Sequence, residues 1–118
     1  MIPDQGAARV YLACGPTDLR KSIDGLAALV QQGFALDPFG DAWFVFCNRE
    51  RDKLKILRWE HAGFWLYYRR LERGHFQWPM TTVEATRVIT RRQLQWLLDG
   101  LAVEQRQALP AVRARVVV

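Results

Sequence analysis

Between Arg49 and Arg73 the chain interleaves eight Lys/Arg residues with Trp59, Trp65, Tyr67 and Tyr68, against four acids, Glu50, Asp52, Glu60 and Glu72. That segment holds +4 of the formal net charge of +5. Ammonium and guanidinium groups pair with phosphate oxygens and flat rings accept stacked bases, so this mixture suits the holding of a nucleic acid. An anionic membrane surface or an acidic protein would answer the same charge. Arg20 and Lys21, in the first turns of an expected helix, and Arg91 and Arg92, opening another, add to it. Positive charge there opposes the helix dipole by roughly a few tenths of a kcal/mol, a cost that a bound anion would relieve.

Residue types for bond making are sparse. His61 and His75 fall in or near turns with no Ser or Cys motif that would mark a nucleophile beside its base. Gly15-Pro16-Thr17 lacks the repeated glycines of a phosphate-wrapping loop. Helix capping and loop solvation account for Asp18, Asp24, Asp37 and Asp41 without a metal. Cys14 and Cys47 sit singly in apolar runs, with no CxxC pair and no His at ligand spacing, and are expected as buried, reduced thiols. The residues call for no cofactor, no metal and no catalytic group.

These groups must be positioned by one domain, since 118 residues at 50% hydrophobic content support a single core. The expected organisation is one domain over 1–118, with its core from about 10 to 101 and a short helix or loosely held tail over 102–118. No run of about twenty apolar residues is present to span a membrane, and the N-terminal MIPDQGAARV does not read as a secretory signal. A cytoplasmic protein without membrane attachment is expected.

The fold class expected is α+β: a small antiparallel sheet, made of a three-strand meander plus an N-terminal strand, packed with two or three helices. Arg9 to Cys14 reads as that first strand, stopping at Gly15 and Pro16. Thr17 is placed as a helix cap and Asp18 in the first turn, with Leu19, Ile23, Leu26 and Val30 forming one stripe that ends near Gly33. Trp43 to Cys47 is apolar on both faces, as in a central strand. Asn48 to Asp52 turns the chain into Leu54 to Trp59, and Glu60 to Gly63 turns it again into Phe64 to Arg69. Val83 to Ile89 leans to a strand. Thr90 with Gln93 forms a capping box ahead of Leu94, Leu97 and Leu98, and Gly100 ends that helix. Trp43, Trp78 and Trp96 are assigned to the core.

The register of the second hairpin decides which groups share a face. A three-residue loop, His61-Ala62-Gly63 with Gly63 in the left-handed position, would set Glu60 across from Phe64. One face would then carry Leu54, Ile56, Phe64, Leu66 and Tyr68, with Arg58 its one basic residue. The other would carry Lys53, Lys55, Leu57, Trp59, Trp65, Tyr67 and Arg69, with Lys55 across from Arg69 and Trp59 across from Trp65. The like-charge pair is a reason to expect an anion over that face.

Three blocks also resemble a known family: VYLACGPTDLRKSIDGLAALV, then DPFGDAWFVFCNRERDKLKILRWEHAGFWLYYRRLERGHFQWP, then ITRRQLQWLLDGL. Together they are similar to the TnpB accessory proteins of insertion sequence 66 elements, over about residues 10 to 101, departing from that pattern at the turn EHAG. The resemblance implies a role in transposition beside a larger transposase that carries the catalytic acids, and it supplies no catalytic residues. Within the matching blocks Arg20, Lys21, Lys53, Lys55, Arg69, Arg70 and Arg73 are placed to touch DNA, and the register adds Trp59, Trp65 and Tyr67. The function expected is a non-enzymatic accessory protein whose partners are DNA, the transposase of the same element, or both. Two alternatives stay open: an adaptor that docks on the transposase without touching DNA, and a small metal-dependent nuclease built on acids such as Asp18 or Asp37.

Overall fold

A computed structural model describes residues 8–105 of the chain. The expected helix or tail over 102–118 lies largely outside the described residues; 101–105 are irregular. Five strands form one sheet in the order β4-β3-β2-β1-β5: β1 (Arg9–Ala13), β2 (Ala42–Cys47), β3 (Lys53–Glu60), β4 (Gly63–Arg70) and β5 (Thr86–Ile89). Helix α1 (Ile23–Ala28), running on as a π-helical turn over Leu29–Gly33, packs on one side, and α2 (Arg91–Leu98) on the other. The α+β class holds, with two changes to the sheet. The segment between β1 and β2 crosses over through α1, so these strands pair in parallel. Residues 86–89 add a fifth strand, antiparallel to β1.

Every residue of β2 is buried, because it lies third of five with a layer on each face. Trp43, Val45 and Cys47 face the α2 layer with Val10, Leu12, Leu54, Ile56, Phe76, Trp78, Leu94 and Leu97. Phe44 and Phe46 face the α1 layer with Leu26, Val30 and Leu57. Strand periodicity of two thus sorts one continuous apolar run into two cores. Trp78 is buried with its indole N–H donating to the Ala13 carbonyl, 2.9 Å. Trp96 is half-buried, with the Arg92 guanidinium 5.9 Å from its ring centroid.

Helix α2 starts as its capping box requires. The Thr90 hydroxyl accepts from the Gln93 amide (3.0 Å), the Gln93 side chain accepts from the Thr90 amide (2.8 Å), and Gly100 follows the helix at φ +84°. Helix α1 starts later than the sequence suggests. Its N-cap is Ser22, without a side-chain cap, and Thr17 caps nothing. The Thr17 amide donates instead to the Cys47 carbonyl (2.7 Å), and the Asp18 carboxylate accepts from the amide and guanidinium of Arg20. Arg20 and Lys21 therefore precede the helix.

The largest departure is the β3–β4 register. His61 and Ala62 both take positive φ, 52° and 63°, and close a two-residue turn in which Glu60 pairs with Gly63. Lys55 pairs with Tyr68, Leu54 with Arg69, Arg58 with Trp65 and Trp59 with Phe64. The loop is one residue shorter than expected, so every β4 side chain changes face. Phe64, Leu66, Tyr68 and Arg70 lie with Lys53, Lys55, Leu57 and Trp59 on the α1 side. Trp65, Tyr67 and Arg69 lie with Leu54, Ile56 and Arg58 on the α2 side.

Candidate nucleic-acid interface

The expected single basic aromatic face is not assembled: Lys53, Lys55 and Trp59 are on one side of the sheet, Trp65, Tyr67 and Arg69 on the other. Lys55 opposes Tyr68 and not Arg69; the cross-strand like-charge pair is Lys53 with Arg70 instead. Along the strands, however, the residues sort by kind. Cations gather where β3 begins and β4 ends, and aromatic rings gather at the His61-Ala62 turn.

The basic end is built from three segments. Asn48, 8% exposed, organises the β2–β3 turn. Its side-chain oxygen accepts from the amides of Asp52 and Lys53, each at 3.0 Å, and its side-chain NH2 donates to the carboxylates of Asp52 (2.7 Å) and Glu50 (3.3 Å). That bond holds the Asp52 carboxyl below its usual range, with Lys53 assisting. Arg51 takes φ +59°, as the turn demands.

The turn in turn holds the chain beyond β4. The carbonyls of Asp52 and Arg51 accept from the amides of Leu71 and Phe76, each at 2.7 Å. The Glu50 carbonyl lies 2.8 Å from Nδ1 of His75, which must donate because a carbonyl only accepts. This brings Arg69, Arg70 and Arg73 beside Arg49, Arg51 and Lys53. The third segment, 17–21, is fixed by Thr17 and by Lys55, whose ammonium donates to the carbonyls of Leu19 (2.7 Å) and Lys21 (3.0 Å). Lys55 is thus a tie that carries Arg20 and Lys21 to this end, and it lies 5.9 Å from the Tyr68 ring centroid.

Nine cations (Arg20, Lys21, Arg49, Arg51, Lys53, Lys55, Arg69, Arg70, Arg73) and four acids (Asp18, Glu50, Asp52, Glu72) meet here, an excess equal to the formal charge of the whole chain. Asp18 pairs with Arg20 and Glu72 with Arg70, each at 2.8 Å; Asp52 reaches Lys53 at 3.7 Å. The Arg20 guanidinium holds the Asp18 carboxyl far below the usual range, so that pair stays ionised. Lys21, Arg49, Arg69 and Arg73 are exposed and make no ion pair among the described residues. Between segments 16–20 and 48–55 lies a groove of about 770 Å³ lined by Arg20, Arg49, Lys53, Lys55 and Tyr68, with Asp18 and Glu50 at its wall. On the opposite side of the sheet, Arg69, Arg73, His75 and Asp99 line a second cleft of about 460 Å³.

At the other end, Phe39 meets Trp59 edge-on (centroids 4.9 Å apart) and lies 5.5 Å from Phe64, while Trp65 stacks on Tyr67 at 6.1 Å. Trp65 and Phe39 stay about half exposed, at 54% and 53%, whereas Trp59 and Tyr67 are partly buried, Tyr67 tilted 5.8 Å from the Trp43 ring. Arg58, the cross-strand partner of Trp65, is 4% exposed. It donates to Asp41 (2.8 Å) and to the Ala42 carbonyl (3.2 Å), and its guanidinium sits 5.1 Å over Trp43, so it is structural. The aromatic residues expected to stack bases therefore stand apart from the cations; only Tyr68, 53% exposed, lines the basic groove.

The expected site residues omit Asn48, Arg49, Arg51 and Tyr68, although the last three lie in the basic aromatic segment. An Asn opening a polar five-residue turn is the signal that pointed to the first three, since its side chain can replace a backbone acceptor. Cys47 is fully buried, and burial pushes its thiol up to about 12, so it is no nucleophile at neutral pH; both cysteines are free. Among the described residues no group of three or more His, Cys, Asp and Glu is arranged to hold a metal ion, and no helix is long and apolar enough to cross a membrane.

The family model described as "IS66 Orf2 like protein" matches residues 8–108. Two proteins of Sinorhizobium fredii (strain NBRC 101917 / NGR234), described as uncharacterized proteins y4hO and y4jC, are similar to the chain. The first is 37% identical over 101 residues, covering 86% of this chain and 87% of its own length; the second is 34% identical over 79 residues, covering 67% and 68%. No solved structure matches the chain significantly.

Proposed function

For a chain that belongs to the IS66 Orf2-like family, we propose a non-enzymatic accessory role in transposition in which the basic end of the sheet holds the DNA phosphate backbone. One observation carries this reading: cations from three separate segments are drawn together by the Asn48 turn and the Lys55 tie, with four of them exposed and without an ion pair among the described residues. The groove offers ammonium and guanidinium donors but few base-reading groups. Its contacts favour backbone over base edges, so little sequence preference comes from this end. The transposase of the same element is the second proposed partner.

The test is a fluorescence-anisotropy titration of duplex DNA across a salt series. Binding should fall linearly on a log–log plot, and the triple variant Arg49→Glu/Lys53→Glu/Arg73→Glu should abolish it while leaving the fold intact. Wild-type protein that fails to bind at low salt overturns the DNA reading. A parallel pull-down with the transposase after nuclease treatment then decides whether the same cations serve an acidic protein surface, since capture that survives nuclease and is lost in the triple variant assigns them to protein.

A further inference from the structure

The outer side of β4 is the longer of the two sheet edges, eight residues against four in β5, and among the described residues no strand covers it. Its register with β3 advances one residue at a time from Glu60–Gly63 to Lys53–Arg70, so it has no bulge, and it contains no proline. Those are two of the devices that blunt an edge; charged side chains are a third, and β4 carries them only at Arg69 and Arg70. Because the hairpin closes on two residues, the Glu60–Gly63 pair is a hydrogen-bonded one. The amides and carbonyls of Gly63, Trp65, Tyr67 and Arg69 then point to β3, and those of Phe64, Leu66, Tyr68 and Arg70 point outward. The Leu71 amide donating to Asp52 continues the alternation.

The edge is also graded along its length. Phe64 and Trp65 stand at the turn end, where Glu60 is an acid and Asp41 is paired with Arg58 (2.8 Å); Arg69 and Arg70 stand at the other, Arg70 paired with Glu72 (2.8 Å). A strand of this kind is complementary to itself when reversed. Set side by side in the same direction, two copies would instead place Arg69 and Arg70 against themselves, which is unfavourable.

We propose that β4 is the seam of a two-fold dimer of this chain, in which two β4 strands pair antiparallel about Tyr67 and join two sheets into one. A two-fold axis normal to the sheet keeps each face with its like. Centred on Tyr67, it sets Trp65 against Arg69 of the other copy and Phe64 against Arg70, so guanidinium groups meet rings on both faces. The outward amides and carbonyls of Phe64, Leu66, Tyr68 and Arg70 supply the new ladder. The match of exposed ring to guanidinium singles out a second copy as occupant, because the aromatic end of each β4, with Trp65 half exposed, finds its counterpart in the basic end of the same sequence.

Sedimentation velocity on the nuclease-treated full chain tests this. Wild type should sediment as a dimer. Trp65→Arg places like charges across the seam twice per dimer and should raise the dissociation constant at least about tenfold. Trp65→Glu, which offers Arg69 a carboxylate, should remain dimeric, and the swap Trp65→Arg/Arg69→Glu should restore the dimer. Trp65 is half exposed, so circular dichroism should show all three variants folded. A monomeric wild type, a dimeric Trp65→Arg, or a monomeric Trp65→Glu or charge swap overturns the proposal. Arg69 enters both readings, but the DNA triple variant spares it and sedimentation is run without nucleic acid, so the failure of one is distinguishable from the failure of the other.

Discussion

The two ends of the β3–β4 hairpin are made by opposite means. At the open end a polar turn is held by side-chain hydrogen bonds from one asparagine, and the exposed groups are mostly charged. At the closed end two non-glycine residues sit in left-handed backbone, and rings hold one another through Phe39, Trp59 and Phe64. Charge and apolar surface, which alternate along the sequence, are thereby separated along the strands. An alternating sequence does not have to give a mixed surface; the turns decide where each kind ends up.

The sharpest way to break that comparison is by charge. The Arg49→Glu/Lys53→Glu/Arg73→Glu triple should remove DNA binding, and single reversals should each lower the salt slope by roughly one phosphate contact. Trp59→Ala, at the other end, should leave the salt slope unchanged while costing about 1–2 kcal/mol of stability by urea denaturation, as a half-buried ring with two edge-on contacts is lost. Equal losses of DNA affinity from both ends would erase the distinction.

Next in size is Asn48→Ala. It strands the Asp52 and Lys53 amides and should cost about 2–3 kcal/mol in urea denaturation, together with faster amide exchange across 48–53 and 71–76. A smaller gain is expected at the closed end, where Ala62→Gly should stabilise by about 1 kcal/mol because Ala62 holds φ +63°. Gly63→Ala should be nearly neutral, since nothing lies within 4 Å of the position its Cβ would take and its φ is not left-handed. The three-residue loop would have reversed those two outcomes.

The smallest effect is on pH. The Asp52 carboxyl is held down by Asn48, so its folded pKa is below its unfolded one. Its contribution is therefore fully present above the ordinary aspartate range, near pH 4, and is lost as pH falls through the lower folded value. Urea midpoints of wild type and Asp52→Asn should accordingly differ at pH 6 and converge on acidification.

Most of the elements were legible because their signals are local. The Thr90/Gln93 box, the doubly apolar 43–47 run and the polar 48–52 turn each name their structure. The site was less legible because it hangs on one loop length. Glycine at position 63 invites the left-handed position, while His61-Ala62 lacks the Asn-Gly chemistry of a two-residue turn, so nothing local signals the strained solution. A slip of one residue then exchanged the faces of all β4 side chains. The role of Lys55 as a tie was hidden for a different reason: its acceptors lie 36 and 34 residues away. The parallel β1–β2 pairing was equally nonlocal.

That parallel pair has a consequence for how the molecule is made. The meander β2–β3–β4 joins neighbours in sequence, whereas β1 waits for a crossover and β5 closes onto β1 across more than seventy residues. Short loops close at lower entropic cost than long ones, so the hairpins should gain protection first in pulse-labelled hydrogen exchange and β5 last. The cations of the 48–73 segment would then be in place while the far side of the sheet is still open chain.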